Sequence, residues 1–290
     1  MKTLRIQFLH FWKGFDYKRR FAFLLRHYHL EITDKPDFVV FSTYVDGTRV
    51  KRMPRVRTNA VRVFYAPENV RPDMKRCDYA FSYFHEDAVG SDRHFRLPSY
   101  VLRLWDNGYT GEHLIKGNLD PSRILREKTR FCNFIYSNRH ARVRNRFFRR
   151  LSRYKRIDAA GSVYNNIGYR LPRGVQNKLD FIRRYKFTIA FENVSSPGYT
   201  TEKVVEPMLV HSLPIYWGDP EVGRDFNPKS LINYYDCGRN LDDVVEKVIA
   251  VDRDDDLYAQ YIREPYFHQN VISPYMDMER VVEQFRTVFG

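Results

Sequence analysis

At 290 residues the chain exceeds the roughly 100 to 200 residues of a usual domain, so two domains are expected. Its 43% hydrophobic and 16% aromatic content is enough to build ordinary cores and excludes a disordered chain. A net charge of +14 draws anions, whether nucleic acid, an acidic membrane face or a phosphorylated ligand. The three cysteines, far apart and without C-x-x-C spacing, exclude a disulfide framework and a zinc site and fit a reducing compartment.

In chain order, the first fifteen residues interrupt their apolar run with Arg5, Gln7, His10 and Lys13, which reads as a strand and not as a signal peptide. Nowhere do about 18 consecutive apolar residues occur, so a spanning helix is excluded. Residues 4–10, 37–43, 61–66 and 79–84 read as strands, and 18–29 as a helix. Residues 106–120 are polar, glycine-bearing and without period, the mark of a linker. The alternation then resumes, with strands at 130–137, 187–191, 214–217 and 231–235 and helices at 142–154, 177–185 and 241–251. The simplest architecture is α/β, two Rossmann-like halves with parallel sheets facing a cleft. The expected domains are 1–125, 126–270 and a terminal segment, 271–290. In that segment Val281, Val282, Phe285, Val288 and Phe289 suit an amphipathic helix that docks back on the first domain.

The stretch FTIAFENVSSPGYTTEKVVEPMLVHSLPIYWGDPEVGRDFN carries the most chemistry. A buried strand ends at Glu192 and Asn193, a loop of Ser, Pro and Gly follows, and a helix starts near Thr201. That arrangement offers free backbone N–H groups to a phosphate. Lys203 stands in the first turn, where the helix dipole disfavours a cation unless an anion is near. A diphosphate would meet that need; the bland alternative is a solvated lysine with Glu202 offsetting the dipole. On the 142–154 helix, mapped at about 100° per residue, Arg142, Arg146, Arg149, Arg150 and Arg153 share one face while Arg144 falls among apolar residues. A buried guanidinium needs a partner, either a carboxylate of its own domain or a ligand phosphate. The five-arginine face is a solvated surface, or one that meets nucleic acid or an anionic membrane. Glu68, in VFYAPEN, follows Pro67 at a strand's C-terminal end, where ligands gather in open sheets. It suits a general base or an exposed loop glutamate. The acidic run 252–256 follows a helix and reads as a solvated connection. No H-E-x-x-H, G-x-S-x-G, Walker or G-x-G-x-x-G sequence occurs.

Taken together, FENVSSPGYTTEK and LPIYWGDPEVGRDFNPKSLIN resemble the donor-binding signature of the α-1,3/4-fucosyltransferase family, especially its bacterial members. VFYAPEN, CDYAFSYF and RLPSY are similar to that family's acceptor-side segments, so the resemblance covers most of residues 60–235. It implies a GT-B fold with the donor held by the C-terminal domain. It further implies Glu68 as general base, Arg144 and Lys203 on the GDP phosphates, and Glu202 on fucose. Asn193, Tyr199 and Thr201 would line the donor site, and Gly161, Ser162 and Val163 would approach the nucleotide. The implied reaction is an inverting displacement from GDP-β-L-fucose onto a GlcNAc hydroxyl of an N-acetyllactosamine-type glycan, giving an α-1,3 linkage, with lipopolysaccharide side chains as carrier. No cofactor or metal residue is expected, although a divalent cation would stimulate turnover without a protein site.

Against the family pattern, Pro207 falls inside the donor helix, where a kink is expected just after the phosphate-binding turn. An N-terminal anchor of the animal type and a heptad-repeat tail are not seen, which suits a cytoplasmic chain touching the inner face of the membrane peripherally. The competing readings are a transferase of the same fold for another nucleotide sugar and a basic nucleic-acid-binding protein. The second leaves FENVSSPGYTTEK unexplained, so no nucleic acid is expected.

Overall fold

Alternation over KTLRIQFL makes the first strand. In the computed structural model, which describes residues 1–290, Leu4 and Ile6 are buried and Arg5 between them is exposed, the period-two pattern of a strand with one face on a core. β1 (Lys2–Leu9) is followed by β2 (Tyr28–Ile32) and β3 (Phe38–Phe41). A separate two-stranded hairpin comes next, β4 (Tyr44–Val45) with β5 (Thr48–Arg49). β6 (Val61–Ala66), β7 (Tyr79–Ser82) and β8 (His94–Arg96) complete a parallel sheet in the order β2-β1-β3-β6-β7-β8. Short runs such as FVVF are buried almost throughout, as a parallel sheet covered on both faces requires. Before residue 111 this unit holds the helices α1 (Tyr17–Arg20), α2 (Glu86–Val89) and α3 (Ser99–Trp105).

The helix expected over 18–29 is not formed. Asp16 caps α1 by accepting the N–H groups of Lys18 and Arg19, but the helix stops at Arg20 and a single 3-10 turn, Leu24–Arg26, follows. Tyr28 and Leu30 are buried on either side of exposed His29, and the segment pairs with β1 from Lys2↔Tyr28 to Ile6↔Ile32. A ladder and two buried side chains outweigh a weak local helical preference.

The second unit repeats the plan. β9 (Arg130–Phe134), β10 (Ile157–Ala159), β11 (Tyr185–Phe191), β12 (Leu213–Trp217) and β13 (Ile232–Asn233) form a parallel sheet in the order β10-β9-β11-β12-β13. Around it stand α4 (Pro121–Glu127), α5 (Arg142–Leu151), α6 (Val175–Ile182), α7 (Glu202–Leu209), α8 (Leu241–Arg253) and α9 (Asp255–Arg263). Phe134, Phe147, Phe187, Phe191, Ile215 and Val248 sit in its core. The acidic run is not merely solvated. Asp252 accepts the Tyr154 hydroxyl at 2.9 Å and pairs with Lys155 at 3.1 Å, and Asp254 caps α9 by accepting the Leu257 N–H.

The units are Met1–Thr110 with Pro274–Gly290, and Gly111–Ser273, so the division falls before residue 111 and not near 125. The cause is visible in the second unit. A Cβ on Gly111 would lie 2.5 Å from Ile272 Cγ2, and the Lys116 ammonium donates to the carbonyls of Ile262 and Glu264 at 2.6 and 2.5 Å. Half of the apparent linker is therefore packed structure. The last helix, α10 (Met278–Phe289), belongs to the first unit, where Phe285 stacks on Phe81 at 3.9 Å and meets Phe23 edge-on at 5.4 Å.

Candidate active site

Tyr136 is the hinge of one half of the site. It follows β9, and its hydroxyl donates to the Ile189 carbonyl at 2.7 Å, which locks the ring across β11. The Arg144 guanidinium lies 3.6 Å from the centre of that ring, a cation–π contact in a dry setting. Arg144 comes from the apolar face of α5 and is fully buried, 0% exposed. It donates to the Phe191 carbonyl at 3.3 Å, to Asn193 Oδ1 at 3.0 Å and to the Asn138 carbonyl at 3.0 Å. No carboxylate pairs with it, and its Nε has no hydrogen-bond partner. Burial accordingly pulls its pKa down, against the pull of Tyr136 and Glu192. No carboxylate takes the partner's place that its position suggested, which leaves a buried cation bonded only to neutral groups.

Behind Tyr136 runs the loop after β10. A Cβ on Gly161 would come within 2.2 Å of the Tyr136 carbonyl oxygen and 2.4 Å of its nitrogen, so only glycine lets the two backbones approach. Val163 is buried and donates its N–H to the Tyr136 carbonyl at 3.0 Å, while Ser162 is exposed.

The other half is built at the end of β11. Glu192 is 0% exposed. Its carboxylate accepts the Thr201 N–H at 2.9 Å, the Thr201 hydroxyl at 2.7 Å and the Lys203 ammonium at 2.9 Å. Thr201 is the N-cap of α7 and also accepts from Lys203 Nζ at 2.8 Å. Two of the three ammonium protons are thus used, and one remains. Burial works to lower the Lys203 pKa, but the Glu192 and Glu202 carboxylates overcome it and hold the pKa raised. For Glu192 burial wins and its pKa lies above the usual carboxylate range. Glu202 Oε1 stands 3.6 Å from the same ammonium. A Cβ on Gly218 would lie 2.4 Å from Glu192 Cγ, so the glycine of WGDP is what gives Glu192 its room. Below it Asp219 accepts the Gly198 N–H at 2.8 Å and the Thr200 hydroxyl at 2.9 Å, which fixes the loop on both sides of buried Tyr199. Burial raises the Asp219 carboxyl to about 6.

Within the second unit the structure therefore gathers Arg144, Gly161, Val163, Asn193, Thr201, Glu202 and Lys203 at the C-terminal ends of β9, β10 and β11. Pro207 removes the N–H that would reach the Lys203 carbonyl, yet Glu202–Leu209 is helical throughout and the helix stops two residues past the proline. The helix ends early, and its first turn, Glu202 to Val205, is helical. Glu68 belongs to the first unit, just past β6. Arg49 donates to its Oε2 at 2.7 Å, and its side chain is 27% exposed. Along α5, Arg142, Arg146 and Arg149 are exposed, as is Arg153 just past its end, while Arg150 pairs with Asp242 at 2.9 Å. Sequence reasoning gave no role to Glu192, Tyr136 or Asp219. Glu192 alone had a signal, a carboxylate at the carboxyl end of a buried strand.

Residues 6–103 match the alpha-(1,3)-fucosyltransferase FucT N-terminal domain, and residues 125–277, more than half of the chain, match the C-terminal domain of glycosyltransferase family 10 (fucosyltransferase). The chain belongs to glycosyltransferase family 10. This family 10 chain is 30% identical over 313 residues to the alpha-(1,3)-fucosyltransferase FucT of Helicobacter pylori, an alignment covering 95% of this chain and 63% of that relative. It therefore spans less than two thirds of that relative's length. A crystal structure of an alpha1,3-fucosyltransferase is similar to it with a TM-score of 0.78 at 25% identity, covering 99% of this chain and 90% of that one. A second, of an alpha1,3-fucosyltransferase with GDP-fucose, gives 0.76 at 26%, covering 100% and 91%. The two Rossmann-like units are those of the GT-B fold.

Proposed function

We propose that this family 10 chain is an inverting fucosyltransferase that moves L-fucose from GDP-β-L-fucose to a GlcNAc hydroxyl of an N-acetyllactosamine-type glycan, forming an α-1,3 linkage. The observation that supports it best is Arg144, a buried cation without a carboxylate, in the same cluster as Lys203, whose ammonium keeps one free proton. Together they offer positive charge to a diphosphate. As the glycosidic bond to the diphosphate breaks, negative charge grows on the leaving oxygen, and fixed cations there stabilise the transition state more than the ground state.

In this reading Glu68 removes the proton of the acceptor hydroxyl, which then attacks the anomeric carbon from the face opposite GDP. Arg49 and the Tyr44 hydroxyl, both beside its carboxylate, orient it for that task. Glu202 contacts fucose, and Asn193, Tyr199, Thr201, Gly161, Ser162 and Val163 line the donor site. The electrostatic work falls to two side chains, so no metal ligand is assigned, and a divalent cation acts only by pairing with the diphosphate. Lipopolysaccharide is the carrier we favour, with the enzyme in the cytoplasm and the exposed arginines of α5 resting on the anionic inner face of the membrane. No helix is long and apolar enough to cross a membrane.

The test is release of GDP from GDP-fucose with and without N-acetyllactosamine. Acceptor-dependent turnover is expected in the wild type. Glu68→Gln should lower it by about 10²- to 10⁴-fold while GDP still binds, and Lys203→Ala should weaken GDP binding itself. Absence of GDP-fucose binding in the wild type would remove the reading, and UDP binding better than GDP would shift it to another donor.

A further inference from the structure

We infer that the first unit carries a second sugar subsite, a groove that holds a neutral pyranose two or three units along the acceptor glycan from the one being modified. The inference rests on the proposed role of Glu68 as the point where the acceptor hydroxyl sits. The groove lies where β1 and β2 end. It is a cavity of about 310 Å³ with Phe8, Phe15, Tyr17 and Ile32 as walls and Gln7 and Asp34 at its rim. A volume of that order is the lower end of the range for small-molecule sites, roughly 300 to 1,000 Å³.

Its chemistry suits a sugar. One face of a pyranose presents C–H bonds to an aromatic ring while its hydroxyls need polar partners, so aromatic walls with a few polar groups are the matching surface. Phe8 stacks with Tyr17 at 5.3 Å, and Ile32 is 49% exposed, so apolar surface is open at the groove. The Asp34 carboxylate is exposed and the Gln7 side chain half-buried, and neither makes a hydrogen bond or ion pair within the protein, so both are open to hydroxyl groups.

The groove is linked to Glu68 by a continuous track of rings in the same unit. Phe15 meets Trp12 edge-on at 5.1 Å, Trp12 meets Tyr44 at 6.0 Å, and the Tyr44 hydroxyl lies beside the Glu68 carboxylate. The sheet order supplies the scale. Glu68 follows β6, which is two strands from β1 and three from β2, so at about 4.8 Å per strand the groove is roughly 10 to 15 Å from the base along the sheet's C-terminal edge. A pyranose unit is about as long as one strand spacing, which puts the groove's occupant two or three sugars away.

The experiment is direct binding, without donor, of N-acetyllactosamine disaccharide and of the linear tetrasaccharide of two such units, measured by saturation-transfer NMR and calorimetry. Wild type is compared with Asp34→Ala and Ile32→Arg, both at exposed positions where substitution leaves the fold intact. The wild type should bind the tetrasaccharide about tenfold tighter than the disaccharide, the scale of one or two hydrogen bonds to a charged group, and the ratio should fall to about one in either variant. A wild-type ratio near one, or a ratio that survives both substitutions, would overturn the subsite. Turnover of GDP-fucose, run separately, reports on the fucosyltransferase reading, so the two failures are told apart.

Discussion

Glu192, 0% exposed, and Lys203, 13% exposed, meet at 2.9 Å, so each ion depends on the other. Removing one charge from a buried pair strands its partner, at about 3 to 5 kcal/mol. Glu192→Gln should therefore lower the melting temperature while a ligand phosphate could replace the lost counter-charge. GDP should then raise the melting temperature of Glu192→Gln by more than it raises that of the wild type, read by thermal shift. An equal or smaller shift would mean that Lys203 does not face the phosphates. Gly161 makes a second expectation at this scale. Its missing Cβ would overlap the Tyr136 backbone at 2.2 Å, and backbone yields less readily than a side chain. Gly161→Ala should displace the 160–163 loop and cost stability and GDP affinity together, by calorimetry, whereas Ser162→Ala at the neighbouring exposed position should leave stability within about 0.5 kcal/mol.

Helix ends explain the burial of Lys128. Lys128 donates to the carbonyls of Arg183 and Val210 at 2.8 and 2.6 Å, the C-caps of α6 and α7, and so closes two helices with one ammonium. Lys178 of α6 also pairs with buried Glu206 of α7, which ties the donor helix to its neighbour where Pro207 has taken away a backbone bond. Lys128→Met should expose two unsatisfied carbonyls and cost about 1 to 3 kcal/mol by urea denaturation. Burial pushes the Lys128 pKa down to about 7 from 10.5. With the folded value below the unfolded one, the unfolded chain holds more protons between these limits, and stability rises with pH across that window. The wild type should gain stability from pH 7 towards 10, and Lys128→Met should lose part of that rise.

Over the whole molecule the same linkage acts at acid pH through one histidine in each unit. Burial lowers His94 to about 4, with its Nε2 hydrogen-bonded to Ser82 at 2.8 Å. It lowers His211 to about 4 as well, aided by the charges of Lys116 and Lys128. Both are neutral when folded and protonate from about 6.5 when unfolded. Their contribution is therefore complete above pH 6.5 and is lost as pH falls through 4. Melting temperature should drop steeply over that interval, and His94→Gln with His211→Gln should flatten the slope.

Periodicity along the chain was enough to establish the α/β alternation, most strands of both sheets, the odd position of Arg144 on its helix and a helix start near Thr201, because these depend on neighbours three or four residues apart or fewer. The resemblance of FENVSSPGYTTEK added the family. Tertiary structure alone decided the rest. β2 exists because β1 pairs with it across about twenty-five residues, the units divide at 110 because Gly111 and Lys116 pack on residues about 150 positions away, and Glu192 has its role because Gly218 makes room for it and Thr201 and Lys203 converge on it. Contacts of that range leave no period in a sequence. They arise when parallel strands bring the ends of distant segments to one edge of a sheet, where a buried charge must find its partner in space.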